Sequence, residues 1–137
     1  MARRQWKKVE RAFVALSRVA RVATASRSGR ILNVPVCHVV DGDRIYFASS
    51  AGVPKVRNVA ATGRVTVVCD EYSEDWGPLR GVMVVGEGGV IEDGPRFRRA
   101  RRLLYAKYPQ YEREATLEEG EAVVVEVTPR HLFSWGL

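Results

Sequence analysis

The sequence has few of the residues on which many enzymes depend. It contains two cysteines, Cys37 and Cys69, and two histidines, His38 and His131. The cysteines lie in runs typical of buried strands and lack the spacing of metal ligands, so we expect reduced core thiols and no bound metal. There is no HExxH, GxSxG, P-loop or GxGxxG motif. Acid–base hydrolysis therefore has no support in the sequence.

Long apolar runs are also missing. Nothing reaches eighteen consecutive apolar residues, so we expect no membrane span. The basic N-terminal segment alternates charged and apolar residues and has no unbroken apolar stretch or cleavage site. We therefore expect a cytoplasmic protein without a secretory signal. The 137 residues, of which 46% are hydrophobic, are enough for one domain with a single core, spanning residues 1–137.

The positive charge is unevenly distributed. The net charge is +6, and residues 1–30 hold nine Arg or Lys and one Glu. A second basic run covers residues 96–102. Such clusters either attract polyanions or form solvated helix faces. Nucleic-acid modules place aromatic and basic residues on one surface, whereas Trp6, Phe13 and Phe97 fall on apolar stripes here, so we expect no nucleic-acid partner.

The hydrophobic pattern predicts an α+β protein. The N-terminal part, residues 1–19, is expected to be an amphipathic helix that is periodic over 5–19, with an apolar stripe of Trp6, Val9, Phe13, Leu16 and Ala20. Further helices are predicted at 55–61 and 94–108, with a polar connector at 110–120. Strands are predicted at 21–26, 31–40, 44–48, 64–71, 80–92 and 121–128, followed by an extended piece at 129–136.

Several of these strands carry residues that indicate a barrel. Pro35 favours an edge strand or a bulge, because it cannot donate to a ladder. Gly86, Gly88 and Gly89 indicate the sharp bend or bulge that helps to close a barrel. So many short strands in so small a chain predict a closed or nearly closed barrel with flanking helices.

One cluster of residues suits an anion. Ser49 and Ser50 end a predicted strand, and Lys55, Arg57 and Asn58 open a short helix. A helix N-terminus presents unpaired N–H groups, and serine hydroxyls and a lysine add donors without bulk. The alternative is an ordinary connection between a strand and a helix, with Lys and Arg on its surface.

The same region resembles a known superfamily. The run LNVPVCHVVDGDRIYFASSAGVPKVRNVAATGRVTVV is similar to the pyridoxamine-5′-phosphate-oxidase-like, FMN-binding split barrels. The shared elements are a strand with Pro-Val, a D-G-D hairpin, an F-A-S strand end and K-x-R-N. The segments DEYSEDWGPLRGVMVVGEG, RRLLYAKYPQY and VVVEVTPRHLFSWG resemble the branch of enzymes that depend on the 5-deazaflavin coenzyme F420.

This resemblance implies a fold, a partner and a site. The fold would be a six- or seven-stranded antiparallel split β-barrel, forming a homodimer with the cofactor in a groove at the interface. Lys55, with Ser49, Ser50, Arg57 and Asn58, would bind the cofactor phosphate. Pro35, Val36 and His38 would lie near the ring, and Trp76 and Arg80 would approach from the acidic loop 72–79.

The resemblance also implies an activity. We expect an F420-dependent oxidoreductase that transfers a hydride between the reduced deazaflavin and a small organic substrate, with the chemistry carried mainly by the cofactor. The FMN enzymes often carry Ser-Arg ahead of the lysine, where this chain has Val53-Pro54, which favours the deazaflavin over FMN. The alternatives are an FMN-binding oxidoreductase or flavin-binding protein, and a non-enzymatic binder of heme or nucleic acid.

Overall fold

A computed structural model describes Arg3 and residues 5–137 of the chain. These residues form four helices, α1 (Lys8–Leu16), α2 (Pro54–Thr62), α3 (Gly94–Lys107) and α4 (Gln110–Glu114). They also form seven strands, β1 (Ala20–Ala25), β2 (Ile31–Val36), β3 (His38–Asp41), β4 (Arg44–Ser50), β5 (Arg64–Glu71), β6 (Arg80–Ile91) and β7 (Ala122–Trp135). No helix in this part of the chain is long and apolar enough to cross a membrane.

All seven strands belong to one antiparallel sheet in the order β2-β1-β5-β6-β7-β4-β3. The two edge strands, β2 and β3, are consecutive in the chain and are separated only by Cys37. The sheet must therefore curl until its two edges meet, which gives the predicted split barrel. Pro35 lies in β2, as expected for a residue that cannot donate to a ladder on both sides.

The curled sheet separates two hydrophobic cores. Inside the barrel, side chains from all of the longer strands pack together, and α1 adds Phe13 and Val14 while α2 adds Val56 and Val59. On the outside of β3, β4 and β7, helix α3 packs Phe97, Ala100 and Leu104 against Val39 and Val124. Helices α1 and α2 thus close the barrel interior, and α3 covers one outer wall.

The first helix is shorter than predicted, and its buried face differs. It covers Lys8–Leu16 rather than residues 5–19. Val9 and Leu16, expected on the inner stripe, are 54% and 79% exposed, and Ala20 belongs to β1. The predicted stripe was therefore wrong for Val9 and Leu16. Trp6, like Ala20, lies outside α1, so Phe13 is the one member of the stripe that is a buried residue of the helix.

A buried carboxylate explains why the buried face of this helix differs from the predicted one. Glu10 is completely buried, and it accepts hydrogen bonds from the Arg3 guanidinium at 3.0 and 2.6 Å and from the Lys7 backbone N–H at 2.9 Å. The hydrogen bond from Arg3 is the main cause that lowers the pKa of Glu10 to about 2. The period of apolar residues cannot reveal that Glu10 is buried, because its ion-pair partner, Arg3, lies before the helix and outside the periodic segment.

The other differences concern strand continuity. The predicted strand 31–40 is two strands, because the chain passes from one sheet edge to the other at Cys37. The predicted strand 121–128 and the extended piece 129–136 are one strand, β7, since a register shift between Val85 and Gly86 lets the ladder continue past Pro129. The connector 110–120 contains the short helix α4.

The predicted bulge lies opposite Val85 and Gly86, where Arg130 of β7 is the extra residue. A Cβ atom on Gly86 would lie 2.6 Å from Val127 Cγ1 and 2.9 Å from the Thr128 carbonyl oxygen. The β6–β7 ladder changes register here, so the two strands approach too closely for a side chain. At Gly89, further along the same strand, a Cβ atom would have no neighbour within 4 Å.

We therefore expect Gly86→Ala to destabilise the protein by about 1–3 kcal/mol, as overpacking does in well-packed interiors. Gly89→Ala is the matched control in the same strand and should change stability by less than about 0.5 kcal/mol. Urea unfolding of both variants measures the difference. Equal stabilities would show that the bulge tolerates a side chain.

Candidate functional site

One wall of the sheet is left uncovered by the helices. On β1, β5, β6 and the last part of β7, the outward side chains are half-buried or exposed and belong to neither core. They occupy neighbouring register positions: Ala23, Thr66 and Val85 in one row, and Val68, Met83 and Phe133 in the next. We call these six residues the outer face. A mostly apolar face of this kind is typical of an interaction surface.

A groove of 210 Å³ lies at one end of the outer face. Its lining residues come from β1, β2, β5 and β6 and are mostly small or apolar: Ala23, Thr24, Ala25, Ile31, Arg64, Val65, Thr66, Val85 and Gly86. Arg64 is the one charged residue among them. None of these residues carries a carboxylate, an imidazole, a thiol or a phenol, so the groove itself offers no general acid or base.

The predicted anion-binding residues lie beside this end of the sheet. Ser49 and Ser50 are the last residues of β4, and the chain then turns at Gly52, whose φ of +80° favours glycine. Lys55 is half-buried and has no hydrogen-bond or ion-pair partner within the described part of the chain. The Arg57 guanidinium donates to the Gly52 carbonyl at 2.7 Å, so it fixes the loop.

The N-terminus of α2 offers fewer free amides than expected. Pro54 has no N–H group, and the N–H groups of Val56 and Arg57 both donate to the Val53 carbonyl at 3.0 Å. Only the Lys55 N–H remains in the first turn. Any anion held here would therefore depend on the side chains of Lys55 and the two serines more than on the helix end.

Asn58 is positioned for a structural contact. Its side chain is buried, and its amide donates to the Thr24 hydroxyl at 3.1 Å. One turn later the Thr62 hydroxyl donates to the Ala25 carbonyl at 2.8 Å. Because Thr24 and Ala25 line the groove, these two bonds fix α2 against the groove wall. The amide of Asn58 is therefore engaged within the protein, and its contact with a cofactor stays a prediction.

The three residues expected near a ring are separated. Pro35 is exposed and points to the outside of the sheet, whereas Val36 packs against the barrel core, as alternation along a strand requires. His38 is 0% exposed. Its Nε2 lies 2.7 Å from the Val14 carbonyl oxygen, and its Nδ1 has no partner among the described residues. Of the three, Pro35 alone can reach a ligand on the outer face.

Trp76 and Arg80 lie at the opposite end of the sheet from Lys55. Trp76 is 72% exposed at the tip of the β5–β6 hairpin. The Arg80 guanidinium donates to Glu71 at 2.9 Å and lies 5.5 Å from the centre of the Phe13 ring. Strand β5 has eight residues, so its ends are roughly 23 Å apart. Within one chain these two residues cannot complete the site beside Lys55.

Sequence reasoning missed the residues that line the groove. Ala23, Thr66 and Val85 are ordinary strand residues, and Arg64 looks like a surface arginine after a helix. The signal that could have found them is the alternation of β1 and β5, because Ala23 and Thr66 face the same side as Arg21 and Val68. Which side is uncovered depends on where the helices pack.

The basic clusters are partly neutralised. Four arginines of α3 have oxygen partners: Arg96 with Glu126, Arg98 with Glu119 at 3.2 Å, Arg99 with Asp41 at 2.7 Å and Arg101 with the Leu117 carbonyl at 3.0 Å. At the N-terminus, Arg3 is paired with Glu10, and Arg11 donates to the Gly42 carbonyl. Arg4, also part of that cluster, lies outside the described residues. Lys7, Lys8 and Arg102 remain exposed.

Comparison with known proteins identifies the fold. A family model described as pyridoxamine 5′-phosphate oxidase matches residues 7–136. No curated protein matches the chain. A conserved hypothetical protein of Mycobacterium tuberculosis superposes with a TM-score of 0.82 at 20% identity, over 96% of this chain and 85% of that one.

Two further solved structures are similar. HutZ, the heme storage protein of Vibrio cholerae, has a TM-score of 0.76 at 13% identity, over 89% of each chain. A candidate pyridoxamine 5′-phosphate oxidase of Listeria innocua has a TM-score of 0.70 at 15% identity, over 92% of this chain and 94% of that one. At such identities the likeness shows the fold alone, and the F420 branch stays a prediction.

The burial of His38 has a consequence for stability. Burial lowers its pKa from 6.5 to about 4, so on acidification the unfolded chain takes up this proton first. Stability should therefore fall as the pH decreases from 6.5 towards 4. Between pH 7 and pH 5 the expected loss is about 2 kcal/mol, measured by urea unfolding at both values. Glu10 titrates below this range.

Two variants test this assignment. His38→Gln removes the titrating group and keeps an amide that can donate to Val14, so the dependence between pH 7 and pH 5 should be lost. His131→Gln is the control, because His131 is exposed and should leave that dependence in place. An unchanged slope in His38→Gln would assign the acid sensitivity to other groups.

Proposed function

The chain belongs to the pyridoxamine 5′-phosphate oxidase family, and from that premise we propose that it is a homodimeric oxidoreductase with a flavin-type cofactor, coenzyme F420 in preference to FMN. The observation that carries this proposal is the groove on the outer face. It has an apolar floor of small residues and no side chain capable of proton transfer. Such a site suits a reaction whose chemistry belongs to a bound cofactor.

The residues present fit a phosphate-bearing cofactor. Lys55 has a charge without a partner in the described chain, and Ser49 and Ser50 end β4 next to it. Lys55 and Thr62 lie at opposite ends of α2, and seven residues of helix place them roughly 10 Å apart. Because Thr62 is bonded to the groove wall at Ala25, a ligand anchored at Lys55 would have to span about this distance to reach the groove.

The groove residues would orient the cofactor and exclude water. Ala23, Thr66 and Gly86 have small side chains or none, so a flat ring could approach the sheet closely. When bound, a reduced deazaflavin or flavin supplies the hydride. The chain's own part is to hold the phosphate through Lys55 and the ring on the outer face. A proton must come from the substrate, water or a residue outside the groove lining.

The uncovered wall supports the homodimer. The outer face contains four apolar residues larger than alanine, Val68, Met83, Val85 and Phe133, on adjacent strands. Burying these side chains against a second copy would remove apolar area from water, and homodimers with twofold symmetry are the most common soluble oligomers. The second copy would also close the groove, which has only one wall in a single chain.

The exposed basic residues give limited support to F420 over FMN. Coenzyme F420 carries a phosphodiester and an oligoglutamate tail, so it needs more cations than FMN. Lys7 and Lys8 are exposed, but they start α1, whose neighbour Trp6 donates to the Asp43 carbonyl at 2.9 Å. This contact is at the far end of β4 from Ser50, roughly 20 Å away. The tail would span that length or use α1 of the second copy.

Heme is the second candidate. His131 is exposed on the outside of β7 and lies opposite Val85, which lines the groove. It is the accessible one of the two histidines and would supply the imidazole that holds the iron of a bound heme. HutZ, which has the same fold, is a heme storage protein. A binder of this kind would need no proton-transferring residue either.

We expect Lys55→Ala to weaken cofactor binding while the fold stays intact. Losing one charge-assisted contact to a phosphate should cost about 1.5–3 kcal/mol, or roughly ten- to a hundredfold in affinity. Calorimetric titration with F420 and with FMN measures the change. Arg113→Ala is the control, an exposed cation on α4 away from the groove. Unchanged affinity in Lys55→Ala would remove the phosphate assignment.

The identity of the cofactor can be read from absorbance. We expect the purified protein to bind F420 more tightly than FMN, and long-tailed F420 more tightly than short-tailed F420 at low salt. This preference should shrink at high salt, because exposed pairs contribute only about 0–1 kcal/mol each and are screened. The double variant Lys7→Gln with Lys8→Gln should reduce the preference for the long tail. A Soret band that is lost in His131→Ala would instead identify a heme protein.

A further inference from the structure

A second groove, between α3 and α4, is lined mainly by arginines. It has a volume of 420 Å³, which lies within the range typical of small-molecule sites. Three arginines and Tyr105 share one face of α3, because their spacing is i, i+3, i+4 and i+7. We call this the α3 groove, and its lining residues are Arg98, Arg101, Arg102, Tyr105, Ala106 and Glu112.

The α3 groove is separate from the candidate cofactor site. Helix α3 packs Phe97, Ala100 and Leu104 against the outside of β3, β4 and β7, and its lining residues face away from that core. The outer face belongs instead to β1, β5, β6 and the last part of β7. No described residue lines both grooves. A ligand in the α3 groove would therefore be additional to the cofactor, and this inference does not depend on the proposed function.

The guanidinium of Arg101 is held in place without an ion pair. It donates to the Leu117 carbonyl oxygen at 3.0 Å and lies 5.6 Å from the centre of the Phe97 ring. Neither partner carries a net charge, so the charge of Arg101 is not neutralised. Arginine has more N–H groups than this one contact uses. Arg101 is thus oriented in advance and can still donate to a ligand.

Arg102 supplies a second charge without a counterion. It is exposed and forms no ion pair or hydrogen bond within the described residues. Arg98 differs, because it pairs with Glu119 at 3.2 Å, and Glu119 also accepts the Gly94 N–H at 3.2 Å. The groove therefore contains two guanidinium charges that no carboxylate in the described part of the chain balances, and a third that is balanced.

Tyr105 adds a neutral donor beside these charges. Its hydroxyl oxygen accepts the Leu117 N–H at 2.8 Å, and its hydroxyl hydrogen has no acceptor among the described residues. A phenol that accepts one hydrogen bond can still donate its own proton. Leu117 binds Arg101 through its carbonyl and Tyr105 through its N–H, so one backbone residue positions both donors.

We propose that the α3 groove binds the phosphate group of a small phosphomonoester, held by Arg101, Arg102 and Tyr105. Near pH 7 such a phosphate carries about two negative charges and has several acceptor oxygens, which match two unbalanced guanidiniums and one hydroxyl donor. Glu112 lines the same groove from α4 and forms no ion pair within the described residues. Its carboxylate would accept a hydroxyl group of the ligand, so the ligand is a sugar phosphate or a nucleotide.

Calorimetric titration with ribose 5-phosphate and with adenosine 5′-monophosphate tests this site. Ribose, which has no phosphate, and dimethyl phosphate, which carries a single charge, should bind at least roughly tenfold more weakly than either phosphomonoester. The double variant Arg101→Gln with Arg102→Gln should weaken binding of both phosphomonoesters roughly ten- to a hundredfold, because it removes charge-assisted hydrogen bonds.

A milder variant guards against loss of the fold. Arg102→Gln changes an exposed side chain without contacts in the described chain, so it should fold normally and weaken binding roughly two- to fivefold. Circular dichroism checks that each variant folds. In the double variant, the glutamine at position 101 keeps an amide that can donate to the Leu117 carbonyl.

Two control variants distinguish the α3 groove from other basic positions. Arg27→Gln with Arg30→Gln removes two exposed charges from the β1–β2 turn and should leave the affinity for ribose 5-phosphate unchanged. Lys55→Ala should weaken the binding of F420 but not the binding of ribose 5-phosphate. The α3 groove and the candidate cofactor site can therefore be confirmed or rejected independently.

The two phosphomonoesters also identify the class of ligand. Adenosine 5′-monophosphate that binds roughly tenfold more tightly than ribose 5-phosphate would indicate a nucleotide, and equal affinities would indicate a sugar phosphate. Binding that is unchanged in the double arginine variant, or lost in Lys55→Ala, would place the phosphate outside the α3 groove and overturn the proposal. Failure of the wild type to bind either compound at millimolar concentration would overturn it as well.

Discussion

The fold depends on one covalent constraint: the two edge strands of the sheet are consecutive in the chain. With only Cys37 between Val36 and His38, the sheet edges cannot separate, so the sheet has an inside and an outside. The inside is filled by strand side chains and closed by α1 and α2. The outside is divided between α3, which covers β3, β4 and β7, and a wall that no described helix covers. The candidate site belongs to that wall.

Polar residues fix the helices where the apolar pattern is weak. Glu10 is buried against Arg3, and Asn58 is buried against Thr24. On α3, Lys107 donates to the carbonyls of Ser17 and His38 at 2.7 and 2.8 Å. Each of these contacts joins a helix to a segment outside that helix. An unsatisfied buried polar group is costly, so such pairs specify one packing arrangement.

Local sequence patterns predicted most helices and strands but not which of their residues are buried or line the groove. Strand β5 and helix α2 match the prediction to within one residue, because Pro54 and Gly63 delimit the helix and alternating valines define the strand. The loop with Ser49, Ser50 and Lys55 was also predictable, since it is local. The burial of His38 was not, because it depends on Val14, which is far away in the chain. The groove could not be predicted either, since its lining residues come from four strands.

The position of β7 determines when the molecule can assemble. This last strand lies between β6 and β4 in the sheet, and its partners in β4 are more than seventy residues away in sequence. Until β7 is synthesised, the β3–β4 hairpin has no ladder to the rest of the sheet, and the core beneath α3 lacks Val124. Such long-range pairing slows folding. The barrel therefore closes only after β7 has left the ribosome, and until then the edges of β4 and β6 are open to pairing with other chains.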